Sequence, residues 1–311
     1  MPLFRHVTMA LWLWCIAALV IPPPAFAEPP LRVCLQANDP PLSSRDSGAG
    51  FGFDVQLVRL IAGRIGRPLE IQWFTTRDDH DSNPVTEADA LLSDGHCELV
   101  AGYPLMADKL GQPSAPTGKL PPFAGARPED RRRWITLGEL VATRPYRFDA
   151  ITVALSPEHA GQPVRSLEDL RALGVGVVIH GLPDLIAMSY RQGQLADKVH
   201  HFDRSSELFA QLENNKIDAA LIDARELDAW RLAHPGTRVA ATSYRHPIGF
   251  NIGFVGLAGA GALIERVNVI LAGLVADGSL IAIARDSGLT YDPPRTPDVS
   301  TGVTLSALAH D

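Results

Sequence analysis

Asp223 ends an apolar run, Ile217–Ile222, and is followed at once by helix-forming residues. A carboxylate there can accept a cationic group, because open α/β sheets gather their ligand groups beyond the carboxyl ends of the strands. The same side chain can instead cap the helix expected over Ala224–Trp230. A second strand-to-helix junction is Val175–Ile179 followed by His180-Gly181-Leu182-Pro183. Pro183 suits a first helical turn, and the backbone N–H groups near Gly181 can receive an anion; the bland alternative is a plain turn. His180 offers a ring donor at the same place, or a purely structural imidazole. Asp78-Asp79-His80-Asp81 and His200-His201 invite a metal, but neither has metal-ligand spacing, so solvated turns are expected. There is no Gly-x-Ser-x-Gly, zinc spacing or phosphate loop. No catalytic set, metal or cofactor is therefore expected.

The elements that must position these groups follow an α/β rhythm. Leu31–Leu35 reads as a buried strand and Asp39-Pro40-Pro41 as the loop that ends it. Asp54 is placed to cap a helix whose apolar positions are Val55, Val58, Ile61, Ala62 and Ile65, and Gly66 suits its stop. Leu69–Trp73 alternates as a strand does, Ala88–Leu92 fits a short helix, and Cys97–Ala101 fits a third strand. That order predicts parallel pairing with right-handed crossovers. Residues 104–136 read as a long loop, irregular and rich in Pro and Gly over Pro104–Pro128, then charged over Arg127–Trp134, where a helical turn fits. A second α/β unit begins with a strand at Phe148–Leu155. Ser166-Leu167-Glu168-Asp169 has the pattern of a capping box, Ser205 a helix cap, and Asp218 a structural role. Helices over Ala262–Ala276 and Ser279–Ser287 close the pattern, and 291–311 reads as a loosely held tail.

Residues 1–27 read as an export signal: Arg5 and His6, the apolar run Met9–Ile21, then Ala25-Phe26-Ala27 as a cleavage site before Glu28. Trp14 before Cys15 argues against a lipid anchor, and no apolar stretch after residue 27 reads as long enough for a second membrane span. The 284 residues left after cleavage suffice for one large or two medium domains. The formal charge of −7 becomes −8 on losing Arg5, so nothing favours nucleic acid. Two cysteines remain, Cys34 and Cys97. In an oxidising compartment an even pair suggests a disulfide; two separate buried thiols are the alternative.

Several segments, taken in order, are similar to one family. They are Pro40-Pro41-Leu42-Ser43 with Gly52-Phe53-Asp54-Val55; Thr143-Arg144-Pro145-Tyr146; Ser166–Leu170 with Val175–Gly181; Lys216–Asp223; and Val267-Asn268 through Asp277-Gly278-Ser279-Leu280. Together they resemble the bacterial extracellular solute-binding proteins of family 3. The resemblance implies an α/β, two-lobe type II periplasmic binding-protein fold with two crossover strands and an interlobe cleft. Lobe 1 would be 31–147 plus 248–290, lobe 2 would be 148–247, and 291–311 a C-terminal tail. It implies a periplasmic monomer that captures a small polar solute, amino-acid-like or an organic acid, for an inner-membrane ABC permease.

In that family the residue matching Asp223 accepts a ligand ammonium, and an Arg forks onto the ligand carboxylate. The usual Thr-x-x-Arg is absent, so Arg144 or one of Arg131-Arg132-Arg133 is the candidate; a solvated face with Glu129 and Asp130 is the alternative for the triple Arg. Asp39 and Ser43 would face the cleft, Ser43 as a donor, and Tyr103 would offer an aromatic surface or lobe packing. The Cys34 and Cys97 strands and Thr143–Arg147 also resemble a branch that accompanies periplasmic quinoprotein dehydrogenases, including the J protein of methanol oxidation. An accessory role beside such an enzyme is therefore an alternative. A periplasmic dehydratase, with Asp223 or Glu98 as its acid, is a third reading.

Overall fold

Leu31, Val33 and Leu35 of strand β1 (Leu31–Gln36) enter one core cluster, while Cys34, on the alternate face, enters another. A strand buried on both faces must lie inside a sheet covered on both sides. The computed structural model describes residues 28–46, 48–76, 83–130 and 133–310. The expected export signal, the Asp78–Asp81 group, Arg131 and Arg132 lie outside the described residues.

A short ribbon, β2 (Asn38–Asp39) with β3 (Ser43–Ser44), leads to helix α1 (Phe53–Ile65). Gly52, and not Asp54 as expected, is the N-cap of α1. Its φ of 120° favours glycine, and a Cβ there would stand 2.3 Å from the Leu42 carbonyl oxygen. Asp54 falls inside the first turn and is buried. Strands β4 (Leu69–Phe74) and β5 (Leu99–Pro104) flank β1 in parallel, with helix α2 (Pro84–Ser93) between them in sequence. Asn83 caps α2 by accepting from the Val85 and Thr86 N–H groups. A disulfide joins Cys34 to Cys97 across 63 residues. Closing a loop of that size contributes about 4 kcal/mol in the chain-entropy account.

The 104–136 stretch is not a single irregular loop. Strands β6 (Thr117–Lys119) and β7 (Trp134–Thr136) form an antiparallel ribbon beside α2. Three-residue strands are too short for alternation to register in a sequence. Next come β8 (Leu140–Ala142) and the long β9 (Arg147–Leu155), which carries the chain into the second lobe.

There β10 (Val175–Val178), β11 (Val199–Phe202) and β12 (Ala219–Asp223) lie parallel in the order β11-β10-β12, and β9 pairs antiparallel with β12. Helices α3 (Leu182–Ser189), α4 (Ser205–Glu213) and α5 (Ala224–Ala233) cover the faces, and β13 (Ala240–Ala241) adds to β9. Arg204, one residue before Ser205, is the N-cap of α4, and the Ser166–Asp169 capping box opens a 3-10 turn. The chain returns along β14 (Gly249–Leu257), antiparallel to β9, β5 and β8. The first four residues of β9 pair with β14 and its last five with β12, so β9 and β14 are the two crossovers. Each lobe has apolar clusters on both faces of its part of the sheet.

Helices α6 (Gly261–Ala276) and α7 (Ser279–Ser287) close the first lobe against α1. Ala258–Ala276 is long and apolar enough to cross a bilayer by length and composition, which corrects the expectation for the chain after residue 27. In the fold, Ile264, Val267, Leu271 and Leu274 of that stretch belong to the first lobe's core. The tail is also not loose. Asn251 Nδ2 donates to the carbonyls of Arg295, Pro297 and Asp298, and α8 (Leu305–Leu308) buries Leu308 in the second lobe's core. The Asn251 contacts are side chain to backbone, and like a single buried leucine they leave no periodic signature in a Pro-rich sequence.

Candidate functional site

A cleft of about 1010 Å³ opens between the lobes, at the carboxyl ends of β1 and β5 on one side and β12 on the other. Its floor is β9, where Arg147, Asp149 and Ile151 stand at alternate positions and so share one strand face. Asp223 is the last residue of β12 and lines the cleft. It occupies the N-cap position of α5, yet its side chain makes no capping hydrogen bond. Burial raises its carboxyl to about 6; Arg225 lowers it and Asp149 raises it further. No hydrogen bond to it is made among the described residues.

Arg225, in the first turn of α5, spans the cleft. Its Nη1 donates to Asp39 Oδ1 at 3.1 Å, and its Nε lies 3.6 Å from Asp149. This ion pair ties the second lobe to the first. Arg147 is buried; its Nη1 donates to Asp149 at 3.0 Å, and its Nε has no partner. Asp54 accepts the Tyr146 hydroxyl proton at 2.9 Å, and that hydroxyl in turn accepts the Gly102 N–H at 2.8 Å. Burial raises Asp54 to about 6, with Arg147 as the main opposing influence. Glu226 rises to about 7, through burial first and then the nearby Asp223.

Five carboxylates (Asp39, Asp54, Asp149, Asp223, Glu226) thus share two guanidiniums (Arg147, Arg225). The imbalance favours an incoming cation. It also sets a pH dependence. Asp54, Asp223 and Glu226 hold protons more tightly in the native state than in the unfolded chain. Between about pH 4 and 7 the native state therefore binds more protons, and stability falls as pH rises through that window. Ligand-free protein should melt at a higher temperature at pH 5 than at pH 7.5. A midpoint that climbs over that interval would contradict the raised carboxyls.

The structure brings Asp39, Ser43, Tyr103, His180 and Asp223 to this cleft. Ser43 is buried and its hydroxyl donates to the Gln36 carbonyl at 2.8 Å, so it is not the free donor expected. Tyr103 is packed in the first lobe's core, its hydroxyl donating to the Lys109 carbonyl at 3.0 Å. His180 is exposed, in left-handed backbone with φ 63°, and its N–H donates to Asp184. Gly181 is the N-cap of α3 but does not itself line the cleft.

Arg144 corrects an expectation. Its side chain is exposed outside the cleft; its backbone is held, the N–H by Asn268 Oδ1 and the carbonyl by the Thr143 hydroxyl. Arg147, three residues on, takes the cleft position because β9 begins there. Arg133 pairs on the surface with Asp94, while Glu129 and Asp130, its expected partners, pair with Arg127. Glu98, considered as an acid, is engaged by Arg67 and by the Arg32 N–H away from the cleft. His200 and His201 are exposed on β11, and among the described residues no group of three or more His, Cys, Asp or Glu side chains is placed to hold a metal.

Asp54, Arg147, Asp149, Arg225 and Glu226 were not anticipated. A signal existed for two of them: Arg147 and Asp149 put charges on the inward face of an otherwise apolar strand.

No family model matches the chain, and no curated protein matches it by sequence. Solved structures do match. The second substrate-binding domain of a putative amino acid ABC transporter from Streptococcus pneumoniae gives a TM-score of 0.59 at 20% identity, covering 84% of this chain and 100% of that one. Substrate-binding domain 2 of Lactococcus lactis GlnP, in its open conformation, gives 0.58 at 19%, covering 83% and 94%. An ancestral cationic amino acid solute-binding protein gives 0.56 at 20%, also covering 83% and 94%. The fold is that of the type II periplasmic binding proteins. Two α/β lobes, two crossover strands and a cleft at the strand ends are its parts, and each is present here.

Proposed function

We propose that the protein is a periplasmic receptor for a small, amino-acid-like solute carrying a protonated amine, which it delivers to an inner-membrane ABC importer. The observation that carries this is Asp223: a desolvated carboxylate in the cleft, at a helix N-cap position, that caps nothing. A half-buried carboxylate that makes no hydrogen bond is unfavourable, and a ligand ammonium would relieve that. The unpartnered Nε of buried Arg147 would serve the solute's carboxylate or another acceptor. Asp39 and His180 would complete the contacts from opposite lobes. The lobes, 31–147 plus 248–290 and 148–247, would close about the crossovers by shifting an open–closed equilibrium. The Streptococcus pneumoniae neighbour is by name a substrate-binding domain of an amino acid transporter, in keeping with this role.

A thermal-shift panel of amino acids, polyamines and organic acids is the test. Ligand at a hundredfold excess over Kd stabilises by about 2.7 kcal/mol, on the order of a 5 °C rise in midpoint. The rise should be larger at pH 7.5, where Asp223 is ionised, than at pH 5. A response confined to acids that lack an amine would overturn the amine assignment. Silence across the whole panel would overturn the receptor role.

A further inference from the structure

We propose that the C-terminal segment is a tether that limits how far the two lobes can part. It starts at the crossovers. The Tyr291 hydroxyl donates to the Tyr146 carbonyl at 2.9 Å, the Phe148 N–H donates to the Asp292 carbonyl at 2.8 Å, and the Arg295 guanidinium lies 3.8 Å from the centre of the Phe148 ring. It then fastens to the first lobe beside the cleft: the Ser300 N–H donates to the Leu105 carbonyl and the Ala107 N–H to the Ser300 carbonyl, both at 2.9 Å. Met106, between these partners, lines the cleft. The far end belongs to the other lobe. Leu308 is 5% exposed within the second lobe's core, α8 packs on α3, and the Arg191 N–H donates to the Ala309 carbonyl at 3.1 Å.

Between these anchors run Thr301, Gly302, Val303 and Thr304, all exposed. Five Cα steps from Ser300 to Leu305 reach at most about 17 Å when fully extended. Opening the cleft carries the Leu105–Ala107 edge away from α3. Beyond that reach the lobes separate further only if Leu308 leaves its site. The tether therefore restricts the open ensemble. It rests on the two-lobe fold and on no assignment of the solute.

Small-angle scattering of ligand-free protein tests it, so failure here is independent of whether the receptor role fails. Three chains are compared with the intact mature protein: one stopped after Ser300, a Leu308→Asp variant, and one with eight Gly/Ser residues inserted between Gly302 and Val303. Circular dichroism and melting confirm that each is folded. Losing the eleven residues 301–311 should by size alone lower the radius of gyration by about 0.3 Å. The tether instead requires a radius above that of the intact protein in the truncated chain, and also in Leu308→Asp at constant length. The insertion keeps both anchors and lengthens only the span; its radius should rise beyond what eight added residues explain. If Leu308→Asp fails to fold, the other two decide. Folded truncated and lengthened chains no more open than the intact protein overturn the proposal, as does opening on truncation but not on lengthening.

Discussion

Asp223→Asn is expected to weaken capture of an amine-bearing solute by roughly 30- to 5,000-fold, the range that corresponds to losing one partner of a buried charge pair at about 2–5 kcal/mol. Isothermal titration with the solute selected by thermal shift measures it. The same substitution should raise the melting temperature of the ligand-free protein at pH 7.5. The sign follows from linkage. The carboxyl of Asp223 sits at about 6 in the folded protein, above its ordinary value of 3.8, so its ionised form at neutral pH disfavours the native state. An uncharged amide removes that penalty, and the gain should vanish by pH 4. Asp218→Asn is the matched control. Asp218 lies before the same strand but accepts the Gly174 N–H at 2.8 Å, so its loss should lower stability by about 1 kcal/mol and leave affinity unchanged. Affinity within threefold of the parent in Asp223→Asn would remove this residue from the site.

Arg225→Ala should destabilise the ligand-free protein by about 2–4 kcal/mol at pH 7.5, a fall in midpoint on the order of 5–10 °C. The figure is set below that of a fully buried pair because the Arg225 side chain is 31% exposed. Without the guanidinium, Asp39 loses its ion pair, Asp149 keeps only the one with Arg147, and the pair joining the lobes is gone. The loss has a pH signature. Arg225 holds the carboxyls of Asp223 and Glu226 down, so removing it raises them from about 6 and about 7. More of the cluster is then protonated at pH 5, and the deficit relative to the parent should shrink there. A deficit equal at pH 5 and pH 7.5 would mean that Arg225 acts by packing and not by charge. In the ligand-free state this side chain puts a cation among the carboxylates that an amine-bearing solute would also address.

Several elements were legible because their signals are local. The alternation of Leu69–Trp73, the Gly66 stop of α1, and the apolar run before Asp223 each fall within a few residues, on the scale at which strand and helix periods operate. Asp54 shows where that scale misleads. Its place at a helix start suits a cap, but Gly52 alone tolerates the approach to Leu42, and the carboxylate is turned inward to Tyr146. The 117–136 ribbon and the anchored tail escaped for a different reason: short strands and backbone-directed hydrogen bonds need no particular side-chain pattern.

Taken by itself, the sequence determined the α/β order of elements, the pair of cysteines available for a disulfide and the junctions at His180 and Asp223, because period, capping and residue chemistry are written along the chain. Only the tertiary structure decided which charges meet. Arg225 reaches Asp39 across 186 residues of sequence, and Arg147, not Arg144, enters the cleft because β9 starts at that residue. Electrostatic energy depends on distance in space and on the removal of water, and neither is a property of neighbouring letters.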